Sequence, residues 1–193
     1  MTRARTALLN RAWTCDPRRR RPGVQFVVVD DLPGQVRLRT RLSPPYSVEQ
    51  AGLLADAALA DTLRAVDATP AARRAGPDGP SMFVRTETPQ VSAHLLDQCA
   101  ATLGQFDAVL GPTTGDAWWA FGLRVPDMST DLGVALWSMT DVASLTLMAL
   151  RLGLRVAMLP VLQTVHTPAD AHAVAERCAP GSRFAAAVAQ LPD

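Results

Sequence analysis

The chain has 193 residues, 48% of them apolar, and a formal net charge of +1. That is one domain of ordinary size with enough apolar material for a core, so a mainly disordered chain is excluded. So is a strong overall pull on nucleic acid or a membrane surface. All 19 basic residues are Arg, which rules out any lysine-based mechanism.

Residues 1 to 22 end in "CDPRRRRP", where Arg18 to Arg21 repel one another. A solvated, disordered arm is expected, with a tether to nucleic acid or an anionic surface as the alternative. Residues 23 to 193 then form a single domain. "VQFVVV" is a β-branched run and reads as a buried strand, stopped by the turn Asp30-Asp31-Leu32-Pro33-Gly34. The basic segment "QVRLRTRLSPP" follows and reads as extended. "SVEQAGLLADAALADTLRAVD" reads as a long helix. Ser47 and Gln50 have capping-box spacing, and Leu59, Leu63 and Val66 form its apolar stripe. "TPAARRAGPDGP" reads as a loop and "SMFVR" as a short strand. A second helix is expected over "SAHLLDQCAATLG", capped by Ser92, with Leu95, Leu96, Cys99 and Leu103 inside. "DAVLGP" and "AWWAFGL" read as strands, "DVASLTLMALRLG" as a helix stopped by Gly153, and "RVAMLP" as a strand. In "TPADAHAVAERC", Thr167 is the N-cap, Pro168 the first helical residue and Asp170 a first-turn acid.

Three widely spaced cysteines, Cys15, Cys99 and Cys178, and no C-x-x-C argue against disulfides or structural zinc; a cytoplasmic setting is expected. No apolar run approaches the length of a membrane span.

Strands alternating with helices imply an α/β domain with a mostly parallel sheet, whose ligands bind beyond the carboxyl ends of the strands. Four loops therefore matter. The first holds Arg37, Arg39 and Arg41 at alternate positions, beside Thr40. In an extended segment these share a face, and arginine forks match phosphate oxygens. The alternative is a solvated edge. In the second loop, Glu87 stands just past a strand, as a ligand for a divalent cation or as a plain turn acid. The third, "GPTTGDAWW", offers Asp116 ahead of Trp118 and Trp119, which strand alternation sends to opposite faces. The fourth holds His166, a metal ligand or a turn residue that bonds locally. No convincing nucleophile elbow, Cys-His pair or glycine-rich nucleotide fingerprint occurs.

Several blocks in this order resemble a group of bacterial glycosyltransferase-like proteins. Members are described as nucleotide-diphospho-sugar transferases of the GT-A type, some as radical-SAM or selenodomain-associated transferases. The blocks are "LPGQVRLRTRLSPPYSVEQAGLLADAALADTLRAV", "TETPQVSAHLLDQCAATLGQFDAVLGPTTGDAWWAFGL", "WSMTDV", "VHTPADAHAV" and "PGSRFAAAVA". The resemblance implies a three-layer, Rossmann-like domain that binds a nucleotide sugar and transfers the sugar to an acceptor. It implies that Gly34, Arg39, Thr40 and Arg41 cradle the diphosphate. It implies that Glu87, with His166, holds a divalent cation, Mn²⁺ or Mg²⁺, and that Asp116, Gly115 and Trp118 face the sugar or acceptor.

Departures are as informative. Glu87 replaces a usual Asp, Arg85 a usual small residue, and Gly115-Asp116 reverses the usual acid-glycine order. The acids ahead of Thr167-Pro168 are replaced by Thr164 and His166. A Q-x-x-G-D-L-G-x-R segment has no counterpart, and residues 69 to 80 are too short for the strand-helix unit that would carry it. Two alternatives follow: a noncatalytic relative acting as a binding module, or nucleotidyl transfer on a similar fold.

Overall fold

The computed structural model describes residues 23–30, 38–73, 79–124 and 141–191. The Arg-rich arm, the turn with Gly34, Arg37, the "WSMT" of the "WSMTDV" block and the side chain of Arg39 lie outside the described residues.

Strands β1 (Gln25–Val29), β2 (Ser81–Arg85), β3 (Ala108–Pro112), β4 (Trp118–Leu123) and β5 (Val156–Met158) pair in the order β1-β2-β4-β3-β5. β1 and β2 are parallel, as are β3 and β5, while β4 lies antiparallel between β2 and β3. The sheet is therefore mixed, with four strands running one way and β4 opposing them. The helices are α1 (Leu38–Arg41), α2 (Val48–Ala68), α3 (Pro70–Arg73), α4 (Ala93–Leu103), α5 (Val142–Arg151), α6 (Pro168–Ala175) and α7 (Arg183–Val188). No described helix is long and apolar enough to cross a membrane.

Local chemistry sets most boundaries. Ser47 caps α2 and closes a capping box with Gln50; Thr167 does the same for α6 with Asp170. Ser92 and Asp141 cap α4 and α5. Gly153 takes φ 70, the left-handed conformation that ends the α5 turn without a Cβ clash.

Three expectations are corrected. The segment at Arg39 and Arg41 is a helical turn, so the extended geometry that would put alternate arginines on one face is absent. Leu38 and Leu42 are buried against α2, α6 and α7, and that burial favours the turn. In α2 the buried side is Ala51, Leu54, Ala58, Asp61, Thr62 and Ala65, whereas Leu63 is 43% exposed. Small alanines let neighbouring helices approach closely, which the larger apolar residues would prevent. The loop after α2 contains the single helical turn α3.

Two apolar clusters use the sheet and a third joins helices. Val24, Met82, Val84, Val109 and Trp119 pack with Leu96, Cys99 and Leu103 of α4. Val29, Leu110, Trp118, Phe121 and Leu123 pack with Leu145 of α5. The third cluster joins Leu38, Leu42, Leu54, Val165, Val174 and Phe184.

A register shift at Gly111/Pro112 decides where the tryptophans go. Regular alternation along β4 would group Trp119 with Phe121. The bulge sends Trp119 to the cluster of Met82 and Ala120, and Trp118 to that of Phe121. They still occupy opposite sides, as expected, and both are buried. The Trp119 ring lies over Gly111, where an added Cβ would come within 2.5 Å of it. Its indole N–H donates to Pro160 O at 2.9 Å. Gly111 therefore belongs to a strand, and its lack of a side chain makes room for the ring.

Candidate functional site

The topology gathers the loops at one edge of the sheet. Val29 pairs with Arg85 at the carboxyl ends of β1 and β2. Because β4 is reversed, its first residue, Trp118, starts beside Pro112, at the end of β3. The loop after β5 reaches the same edge. Thr86 N–H donates to Val29 O at 3.2 Å, Val165 N–H to Glu87 O at 3.1 Å, and Thr114 N–H to Leu162 O at 2.9 Å. These backbone bonds stitch the loops together.

At that edge, Glu87 is 6% exposed and stands between two guanidinium groups. Arg41 Nη1 lies 3.1 Å from Glu87 Oε1, and Arg85 Nη2 lies 2.5 Å from Oε2. The same Arg41 Nη1 stands 2.9 Å from His166 Nδ1. Three of the expected site residues, from three separate segments of the chain, therefore meet. Helical packing explains how. Leu38 and Leu42, flanking Arg41, share one apolar cluster with Val165, the neighbour of His166.

Arg85 is the residue whose role the sequence reading missed. It is 5% exposed, donates to Trp118 O at 3.4 Å, and lies 5.6 Å from the centre of the Trp118 ring. Burial pushes its guanidinium below the ordinary value, and the adjacent Glu87 carboxylate resists that. The signal was present: Arg85 and Glu87 are two residues apart at a strand end, where such residues share a side. Asp30 was also passed over. It accepts from Thr86 Oγ1 at 2.8 Å and so ties the end of β1 to the Glu87 loop.

His166 is exposed, yet its imidazole is held below the ordinary value by burial of part of the ring and by the Arg41 charge. Asp170 fixes the backbone behind it, accepting from the N–H groups of His166 at 3.3 Å and Thr167 at 2.9 Å. Burial works against the Asp170 charge, but hydrogen bonds from Gln163 and Thr167 hold its carboxyl below the ordinary range.

The third loop stands differently. Gly115 and Asp116 are exposed, and Asp116 enters none of the ion pairs among the described residues. Its carbonyl accepts from Val142 N–H at 2.8 Å, anchoring the loop to the start of α5. A Cβ on Gly115 would meet only Thr113 Oγ1, at 3.9 Å, so packing does not demand glycine there. Trp118 is 3% exposed and supports Arg85. Thr40 is exposed on α1. Cys99 is no rival nucleophile, because burial pushes its thiol up to about 12.

The divalent cation implied by the resemblance does not fit this donor set. Such ions take several oxygen ligands at about 2.0–2.6 Å. Among the described residues no group of three or more His, Cys, Asp or Glu could hold one. Both Glu87 oxygens already face guanidinium groups, and Arg41 Nη1 stands between Glu87 Oε1 and His166 Nδ1.

Among solved structures, the chain is similar to a "putative nucleotide-diphospho-sugar transferase" from Desulfovibrio desulfuricans G20. The TM-score is 0.61 and the identity 17%, over 86% of this chain and 96% of that one. The likeness is one of fold. No protein-family model and no curated protein sequence matches the chain. The α/β fold, built here on a mixed five-stranded sheet, is thus similar to that of a protein described as a "putative nucleotide-diphospho-sugar transferase".

Proposed function

We propose that the carboxyl-end edge binds a nucleotide sugar and that the protein is a glycosyltransferase-like transferase of that sugar to an acceptor. The observation that carries this reading is the convergence of Arg41, Glu87 and His166 from three separate segments, with Arg41 Nη1 3.1 Å from Glu87 Oε1 and 2.9 Å from His166 Nδ1. Arg41 meets diphosphate oxygens with a planar fork, the geometry suited to phosphate. The resemblance adds Gly34, Arg39 and Thr40 to the residues assigned to the diphosphate. Exposed Asp116 and Gly115 face the sugar or the acceptor hydroxyl, and Asp116 is the candidate base for that hydroxyl. Trp118 contributes from beneath, by holding Arg85. The resemblance and the shared fold support the same assignment. The lack of one strand-helix unit between α2 and β2 belongs to this proposal too, and it leaves less protein to read the nucleobase.

Calorimetric titration with UDP, GDP and their sugars tests the reading. Saturable binding of at least one nucleotide is expected. Arg41→Ala is expected to weaken it by roughly tenfold to a hundredfold, the worth of one charge-assisted hydrogen-bonded contact. No binding by any nucleotide, or an unchanged affinity in a folded Arg41→Ala protein, would overturn it.

A further inference from the structure

We propose that this edge binds a diphosphate without a divalent cation. Arg41 and Arg85 supply the positive charge, and Glu87 fixes the two guanidinium groups instead of ligating a metal. The inference rests on the nucleotide-binding reading above and specifies its electrostatics.

Geometry makes the first part of the case. The place where a cation would bridge Glu87 Oε1 and His166 Nδ1 is taken by Arg41 Nη1, at 3.1 and 2.9 Å. Those are hydrogen-bond distances, longer than the ligand distances of a hard cation, about 2.0–2.6 Å. The other carboxylate oxygen is bound by Arg85 at 2.5 Å. A metal approaching either Glu87 oxygen would meet a guanidinium group already there.

Energetics makes the second part. Arg85 is 5% exposed and is fixed from behind by the Trp118 carbonyl and ring. It cannot follow a departing carboxylate without losing those contacts, nor regain water. A buried charge stripped of its partner is strongly destabilised, so a cation competing for Glu87 works against the fold itself. Two guanidinium groups against one carboxylate leave the trio with a net positive charge, and Arg41, 20% exposed in its side chain, brings it to the surface. A diphosphate is then met by a positive centre already in place.

Sequence makes the third part. Arg85 places a fixed positive charge beside Glu87, and Thr164, Val165 and His166, ahead of Thr167-Pro168, bring no carboxylate oxygen to the edge.

The test uses the full chain and two probes. In calorimetry, UDP and GDP are titrated once in EDTA and once in MnCl₂. The dissociation constants are expected to agree within about threefold. In parallel, the electron paramagnetic resonance signal of free Mn²⁺ is followed as protein is added, and no loss of signal is expected. Binding that needs Mn²⁺, or tightens roughly tenfold or more with it, overturns the inference and leaves the nucleotide reading standing. Mn²⁺ uptake by the protein alone, abolished in Glu87→Gln, also overturns it. No nucleotide binding in either medium overturns the parent reading, and this inference with it.

Discussion

At the scale of single residues, His166 reports on the electrostatics of the edge. Burial and the Arg41 charge push its imidazole below the ordinary value; Glu87 and Asp170 pull it up, and Arg85 adds a smaller push down. A group with a lower value folded than unfolded binds more protons when unfolded. Its contribution to stability is therefore complete above the unfolded imidazole value, about 6.5. It is lost as the pH falls through the folded value. An NMR titration of the ring is expected to show protonation below that of a free imidazole, and Arg41→Ala should raise it. A His166 midpoint at or above the free value, or one indifferent to Arg41, would contradict the contact. Arg41, Glu87 and His166 were legible in sequence as candidates because each lies in a segment that connects a strand to the next long helix. That they share one nitrogen was not, since no spacing encodes the packing of α1 against the His166 loop.

At the scale of elements, legibility tracks how local the cause is. The capping boxes at Ser47 and Thr167 could be read from sequence because their partners are three residues away. The helix α7 has a local cap as well, Ser182 Oγ accepting from Ala185 N–H at 3.0 Å, but a second, distant partner at its start has no local signal. Asp61, 3% exposed on α2, accepts from Ser182 Oγ at 2.6 Å, Arg183 N–H at 3.0 Å and Phe184 N–H at 2.9 Å. It caps a helix more than a hundred residues on, and Arg64 reinforces the junction by donating to Gly181 O at 2.9 Å. Removing this carboxylate leaves buried donors unpaired. Asp61→Ala is expected to cost about 3 kcal/mol in urea unfolding. Asp61→Asn keeps some acceptors and should cost less. A loss under about 0.5 kcal/mol for the alanine variant would show that α7 is held by Phe184 packing alone. Phe184 shares its cluster with Leu42 and Val165, so loosening α7 also loosens the support of Arg41 and His166.

At the scale of the whole molecule, the candidate site is a seam between two bodies of packing. β1 and β2 bring Val29 and Arg85 to the edge from the sheet, while the helical cluster brings Leu42 and Val165, with Arg41 and His166 beside them. Alternating strand and helix patterns made the α/β class readable. The reversal of β4 was hidden, because an antiparallel insertion changes pairing without changing apolar content. A diphosphate bridging Arg41 and the backbone around Glu87 would bind only when sheet and helical cluster are docked. Its binding energy then adds to global stability, because a ligand of the native state alone stabilises by RT ln(1 + [L]/Kd). At a hundredfold excess over Kd this is about 2.7 kcal/mol, which for a chain of this length raises the melting midpoint by roughly 5–10 °C. Thermal melts with saturating nucleoside diphosphate should show that rise in wild type and a much smaller one in Arg41→Ala at the same ligand concentration. An equal rise in the two proteins would place the ligand away from this seam.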